Sequence, residues 1–335
     1  MVKVICAVLA AALLLLAGCG GGSAGQEAAA TDQETDHGHL VHLDLDANPG
    51  PENVAFVMAN QLGYFREAGL SVTLGRPVSW PNAFGYLDGG IVDLIVAPEP
   101  QVVLAQDGGS PVIAVRSVVQ GSTEGLIWLD GSGIDDVADL KGRTIAISGL
   151  GFQEDFLKIV LAQAGLDLSD VKLRTLPYTS AAALAKGKVD AIFGGSWNVE
   201  GAELQARGLR PVFTPLRSFG IPPFEQAVLL ADSSRMPSEE NFHRLMSALD
   251  RGTAAAIEHP AAAARAIAAE LSEPEKNAAK WRSRLRATLP LLSRSGHMNP
   301  PRADRLGDWM FARGLIEFEA PASELLTNAH LEARG

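Results

Sequence analysis

The sequence predicts an α/β protein of two lobes, each a mostly parallel sheet flanked by helices, joined by a two-strand hinge. Three observations predict it. First, a strand–helix–strand–helix–strand pattern occurs twice, in similar words: Gly90-Ile91-Val92-Asp93-Leu94-Ile95 lies over Gly187-Lys188-Val189-Asp190-Ala191-Ile192, and Gly69-Leu70 over Gly165-Leu166. Second, after the second copy, FEQAVLLADSS reads as a strand returning to the first lobe, so the chain crosses between lobes near 117–129 and again near 223–231. Third, 335 residues with 47% hydrophobic and 20% charged content can bury two cores.

The elements follow in order. HLVHLDLD alternates as a strand. PENVAFVMANQLG places Val54, Val57, Met58 and Leu62 on one helical face, with Gly63 as the stop. LSVTL is a strand, PNAFGYLDGG a short helix and IVDLIVA a strand. The second copy runs GRTIAISG, QEDFLKIVLAQAG, VKLRTL, SAAALAKG and KVDAIFG as strand, helix, strand, helix, strand. The remainder is helical: SEENFHRLMSALDRGTAAAIEHP, PAAAARAIAAELS, EPEKNAAKWRSRLRATLPLL and ADRLGDWMFARGLI.

The N-terminus reads differently. Lys3 precedes an apolar run from Val4 to Leu16 that is short for a membrane span and reads as a signal peptide over 1–18. Leu16-Ala17-Gly18-Cys19 resembles the bacterial lipobox, with Cys19 as the lipidated first residue of the mature chain and 19–38 as a flexible tether. The lobes then take 39–120 plus 225–335, and 121–224. Cys6 leaves with the signal and Cys19 carries lipid, so no disulfide, thiol nucleophile or cysteine metal site is expected. The net charge of −11 offers no basic stripe for nucleic acid. His37, His39 and His42 form His-x-His-x-x-His without a supporting helix, and no metal site or cofactor is expected.

Ligands of open parallel sheets sit beyond the carboxyl ends of the strands. Those ends hold Asp46 to Asn53, including Asn48, then Trp80 and Asn82, Glu99, Ser148 to Glu154, Tyr178, and Ser196 to Glu200. In GGSWNVEG two glycines precede Trp197, Asn198 and Glu200. Trp197 either stacks on a flat ligand or packs under its own loop. Glu200 either accepts from an amine or serves the first turn of the next helix. Phe152, Tyr178 and Trp80 are aromatic walls or core residues, and Asn82 is a helix cap. The free amides of Ser148 to Gln153 could hold an anion, yet Glu154 and Asp155 already complement that helix end. Glu99 and Glu124 add acid, which points to a neutral or cationic ligand with donors.

The lipobox, NVAFVMANQLGYFREAGLSVTL, GGIVDLIVAPEPQVVLAQDGGSPVIAV, IDDVADLKGRTIAISG and RADRLGDWMFARGLI together resemble solute-binding lipoproteins of ABC importers. Most similar is the branch related to thiamine-pyrimidine synthase. The resemblance covers nearly all of residues 40 to 320. It implies the two-lobed periplasmic binding protein type 2 fold and a small heteroaromatic ligand such as a thiamine pyrimidine precursor, with riboflavin or a sulfonate as alternatives. It also implies delivery to an ABC permease with its ATPase, action as a monomer, and a lipid-anchored place on the outer face of the cytoplasmic barrier. GGSWNVEG resembles the branch's second-lobe motif, in which an aromatic and a glutamate meet the ligand. Asp46 stands where the branch has an aromatic, and Asn53 stands near its His. The branch's enzymes carry a cysteine-rich motif absent from this mature chain, so no catalysis is expected.

Overall fold

The structure of the protein, a computed structural model, describes residues 39–45, 50–77, 80–274 and 278–332. The expected signal peptide, tether and Cys19 lie outside the described residues, as do Asp46 and Asn48. Among the described residues ten strands form two five-stranded sheets. They are β1 His39–Asp44, β2 Leu70–Gly75, β3 Leu94–Ala97, β4 Val112–Val119, β5 Glu124–Leu129, β6 Thr144–Ile147, β7 Lys172–Thr175, β8 Ala191–Ser196, β9 Pro211–Pro215 and β10 Ala227–Asp232. The first sheet has the order β2-β1-β3-β10-β4 and the second β7-β6-β8-β5-β9.

In each sheet all but one strand run the same way. The exception is β10 in the first, antiparallel to β3 and β4, and β5 in the second, antiparallel to β8 and β9. Each reversed strand is the one that enters from the other sheet. The chain makes that passage at residues 120–123 and 221–226.

The helices are α1 Val54–Gln61, α2 Tyr64–Glu67, α3 Trp80–Asp88, α4 Glu99–Asp107, α5 Gly151–Ala162, α6 Ser180–Ala185, α7 Ala202–Ala206, α8 Glu239–Glu258, α9 Pro260–Glu270, α10 Ala278–Thr288 and α11 Pro300–Phe311, with short α12 Ala322–Leu325 and α13 Ala329–Glu332. Their starts follow the sequence. Ser238 caps α8 by accepting from Asn241 N–H, with Glu239 and Glu240 in the first turn. Asn299 caps α11 ahead of Pro300. α1 departs from the amphipathic expectation. Val54 to Ala59 are all buried and Leu62 is exposed beyond its end, because α8 and α9 cover the side that would face water. None of the described helices is long and apolar enough to cross a membrane.

The repeated Val-Asp is structural in both copies. Asp93 accepts the N–H of His42 on β1 at 2.7 Å, and Asp190 accepts the N–H of Thr144 on β6 at 2.7 Å. Each aspartate also donates its own N–H back to the same residue's carbonyl, at 2.8 Å. The motif therefore pins the third strand of each unit to the first.

At the crossings the buried polar groups are densely paired. Glu225 accepts from Ser117 Oγ–H at 3.0 Å and Gly121 N–H at 3.3 Å, and pairs with Arg302 of α11. Its N–H donates to the Glu99 carboxylate at 2.6 Å. Burial pushes the Glu99 carboxyl up to about 7, against the pull of Arg302. One guanidinium thus serves two buried carboxyls. Removing one partner of a buried pair leaves an uncompensated charge. Arg302→Met should therefore lower unfolding free energy by about 3 kcal/mol at neutral pH, read by urea denaturation. A loss under about 1 kcal/mol, the range of an exposed pair, would contradict this.

Candidate functional site

A cavity of about 130 Å³ opens where the two sheets face each other. Its wall is drawn from the carboxyl ends of the parallel strands, as the open-sheet rule requires. Gly50, Glu52 and Asn53 follow β1, Val96 to Pro98 end β3, Ser148 and Leu150 follow β6, Tyr178 follows β7, and Gly194, Ser196, Val199 and Glu200 end β8. Glu124 opens β5, Gln226 and Ala227 lie at the second crossing, and α10 adds Trp281 and Arg284.

The glycine pair at the end of β8 is there for backbone reasons. Gly125 pairs with Gly195 and Leu126 with Phe193, so Gly194 is the extra residue of a β-bulge, at φ +70°. That left-handed conformation suits glycine, and a Cβ there would overlap the Gln153 side-chain amide. β8 then runs through Ser196 into a π-helical turn, Trp197–Gly201, which leads into α7. Extra turns of this kind are frequent at functional sites. Here the turn directs Glu200 back onto its own strand end, where it accepts the Ser196 N–H at 2.8 Å.

Not every expected residue reaches the cavity. Asn53, Tyr178 and Glu200 line it. Trp197 does not: its indole lies over Gly201 and against Phe213 of β9, with ring centroids 5.3 Å apart. Asn198 is buried and crosses to the facing side, donating to Thr288 Oγ1 of α10 at 2.8 Å and to Glu52 at 3.4 Å. Phe152 is a core residue, 5.0 Å from Phe156 and 6.1 Å from Phe224. Glu99 is the first residue of α4 and is held at the crossings. Trp80 opens α3, its side chain outside the described part, and Asn82 lies within that helix's first turn instead of capping it.

The amides of Ser148, Gly149 and Leu150 are not free for an anion. All three donate to Gln153 Oε1, at 2.9, 3.1 and 3.3 Å. Gln153 stands three residues into the turn, the position of a capping-box glutamine, so the sequence carried that signal.

Two aromatic or charged wall residues were not anticipated. Trp281 is buried, lines the cavity and donates its Nε1–H to Glu273 at 2.9 Å. Arg284 lies one turn on and pairs with Glu203 of α7, which also binds Arg207. A guanidinium therefore joins the acids of the cleft, paired with Glu203 through one nitrogen while its Nε is buried without a partner among the described residues.

Carboxylates dominate what remains: Glu52, Glu124 and Glu200. Burial pushes the Glu124 carboxyl up to about 8, with Gln226 pulling it down and Glu200 pushing it further up. Burial pushes Glu200 up to about 7, opposed by the Ser196 N–H and Arg284. Gln226 Nε2 donates to Glu124 Oε1 at 3.3 Å, whereas Glu124 Oε2 and Asn53 Nδ2 are buried without a protein partner. Among the described residues no cluster of ligating side chains fits a metal ion.

Residues 50–263 match the NMT1/THI5-like family, which is most of the folded chain. The chain belongs to that family. A Haemophilus influenzae protein named for thiamine biosynthesis is 26% identical over 281 residues, covering 82% of this chain and 88% of its own. The formylaminopyrimidine-binding protein of Halalkalibacterium halodurans is 29% identical over 195 residues, 58% of this chain and 59% of its own. A Saccharomyces cerevisiae relative named 4-amino-5-hydroxymethyl-2-methylpyrimidine phosphate synthase is 28% identical over 155 residues, covering 45% of this chain and 44% of its own. Among solved structures, the alkanesulfonate-binding protein of Xanthomonas axonopodis pv. citri, bound to MOPS, has a TM-score of 0.65 at 19% identity, covering 86% of this chain and 98% of its own. The fold is that of the periplasmic binding proteins, as the sequence predicts.

The raised carboxyls bear on stability. An unfolded glutamate ionises around 4.5, but folded Glu124 ionises only near 8, so the fold loses stability as pH rises between those values. Glu124→Gln removes this loss. Comparing thermal unfolding without ligand, the variant's melting temperature should gain on wild type from pH 5 to 8 and then level. A gap independent of pH would contradict the buried neutral acid.

Proposed function

We propose that the protein is the solute-binding component of an ABC importer and that its cleft holds a single-ring aminopyrimidine of the thiamine-precursor type. The observation that carries this is a one-ring cavity in which Glu124 and Asn53 each keep a buried polar atom without a partner. Buried polar groups left unpaired cost free energy, and a ligand that pairs them recovers it. The cavity's 130 Å³ compares with the roughly 150 Å³ that holds benzene in an engineered protein cavity. A three-ring flavin exceeds that room.

The chemistry agrees with a ring bearing both N–H donors and acceptor nitrogens. Carboxyls at Glu124 and Glu200 accept, the Asn53 amide donates, and the Trp281 indole adds an aromatic wall. A sulfonate meets a poorer site, because carboxylates outnumber the one guanidinium and the Ser148 to Leu150 amides are occupied. Names of relatives that refer to thiamine biosynthesis and formylaminopyrimidine binding support this reading. Catalysis of the synthase type is the second reading, favoured by the names of several relatives, both shorter and near full-length matches.

In this reading Asn53, Tyr178 and Glu200 contact the ligand together with Glu124 and Trp281. Trp197 and Asn198 shape the second-lobe wall. The lobes over 39–120 plus 225–335 and over 121–224 close on the ligand, and the closed monomer is what the permease and its ATPase receive. Cys19 anchors the protein to the membrane from the extracytoplasmic side.

Denaturing protein purified from rich medium and identifying what it releases by mass spectrometry tests the reading. An unchanged aminopyrimidine is expected. A flavin, a sulfonate or a phosphorylated product would overturn it. By titration calorimetry Trp281→Ala should cost about 1–3 kcal/mol of binding, since a desolvated aromatic wall is lost. Cys19→Ala should leave a soluble or uncleaved form of unchanged affinity, and a variant still lipid-modified would refute the anchor.

A further inference from the structure

Glu124 stands apart among the cavity's acids. It is 2% exposed, it opens β5 directly opposite Ser196, and the carboxylate of Glu200 is held on that same Ser196. The two carboxyls therefore leave neighbouring strands toward one cavity. They are satisfied unequally. Glu200 Oε2 accepts a backbone N–H, which favours its ionised form. Among the described residues Glu124 receives only the long Gln226 contact on Oε1, and its Oε2 has no partner.

The other charged and titratable groups facing this space are Glu52 from the turn before α1, Arg284 from α10 and Tyr178 at the mouth. Arg284 is committed to Glu203. Nothing on the wall is placed to neutralise a second carboxylate beside Glu200, and two buried like charges in one site resist joint ionisation.

We propose that Glu124 meets the ligand as a neutral carboxylic acid, its Oε2–H donating to a ring nitrogen while Oε1 accepts from an exocyclic amine on the adjacent carbon. This rests on the aminopyrimidine reading above and specifies the recognised edge: an amidine-like N–C–NH₂ unit. One proton is shared between Glu124 and the ring nitrogen, and none is made or lost when a neutral ring binds the neutral acid. The unsatisfied Oε2 gains its partner, and Gln226 holds the group from behind. The pairing uses the same one-donor, one-acceptor logic by which glutamine or asparagine reads adenine.

The proton has a measurable consequence. Glu124 in the free protein ionises near 8. Below that value the acid is ready to bind. Above it, binding must take up one proton, and affinity falls tenfold per pH unit. Glu200 titrates about 7, below that window.

The test uses 4-amino-5-hydroxymethyl-2-methylpyrimidine and its analogue without the amino group, titrated calorimetrically into the full chain from pH 6 to 10. Wild type should bind the amino compound and lose tenfold per unit above about 8, taking up one proton at pH 9 when two buffers of different ionisation enthalpy are compared. The deamino analogue should bind far more weakly. Glu124→Gln, whose amide donates and accepts in the same places at every pH, should bind within about tenfold of wild type at pH 7 and stay flat to pH 10. Glu124→Ala, checked for folding by its thermal transition, should lose more than about tenfold at pH 7.

Flat wild-type affinity from pH 8 to 10 without proton uptake would overturn the proposal. So would Glu124→Gln as weak as Glu124→Ala, which would mean that an ionised carboxylate is required. Wild type that ignores the amino compound at every pH would instead remove the ligand reading on which the proposal rests. The pH profile therefore separates the two failures.

Discussion

One side-chain amide joins the hinge to the site. Gln226 Oε1 accepts from both the N–H and the hydroxyl of Thr123, at 2.9 and 3.1 Å, so the second crossing is bonded to the first. Its Nε2 donates to Glu124 inside the cavity. Thr123 in turn accepts from the Trp197 N–H through its carbonyl, which seats the π-helical turn. The next residue back, Glu225, ties the crossings to α4 and α11. A chain that passes twice between two sheets must bury irregular backbone there, and buried polar groups need partners. The segment that meets this need also sets one wall of the cavity.

The cavity wall holds buried polar groups that the fold leaves unequally paired. Elsewhere at the crossings, buried carboxyls find a guanidinium or several N–H donors. Glu124 and Asn53 are left with one unpaired atom each, in a space the size of one ring. Departures from full satisfaction are expected where a protein binds something, since the free energy forgone in folding is recovered on binding. Across the cleft, Asn198 with Thr288 and Arg284 with Glu203 close the far wall. These contacts bring α10, a late element of the chain, onto the second sheet and place Trp281 against the cavity.

The layout of sheets was readable from sequence because each unit repeats a local solution. Val-Asp pins the strands in both copies, glycines end the helices, and FEQAVLLADSS supplies the returning strand. Part of the site was readable for the same reason: strand ends in parallel sheets predict where Asn53, Tyr178 and Glu200 fall. What failed depended on tertiary placement. The GGSWNVEG stretch predicted an indole at the ligand, but the bulge at Gly194 and the turn after it rotate Trp197 onto β9. Trp281 and Arg284 sit on a basic helix whose position follows from its packing on α9 and α7, which no local pattern encodes. The amides ahead of α5 are taken by Gln153, a second reason beside Glu154 and Asp155 that this helix start holds no anion.

The central claim is that an aminopyrimidine ring occupies the cavity with its donor–acceptor edge on Glu124. A crystal structure of the protein with 4-amino-5-hydroxymethyl-2-methylpyrimidine tests this most directly. The account predicts the ring bounded by Trp281 and Tyr178, with both Glu124 oxygens at hydrogen-bond distance from the amine and the adjacent ring nitrogen. A ring stacked on Trp197, or seated away from Glu124, would contradict it.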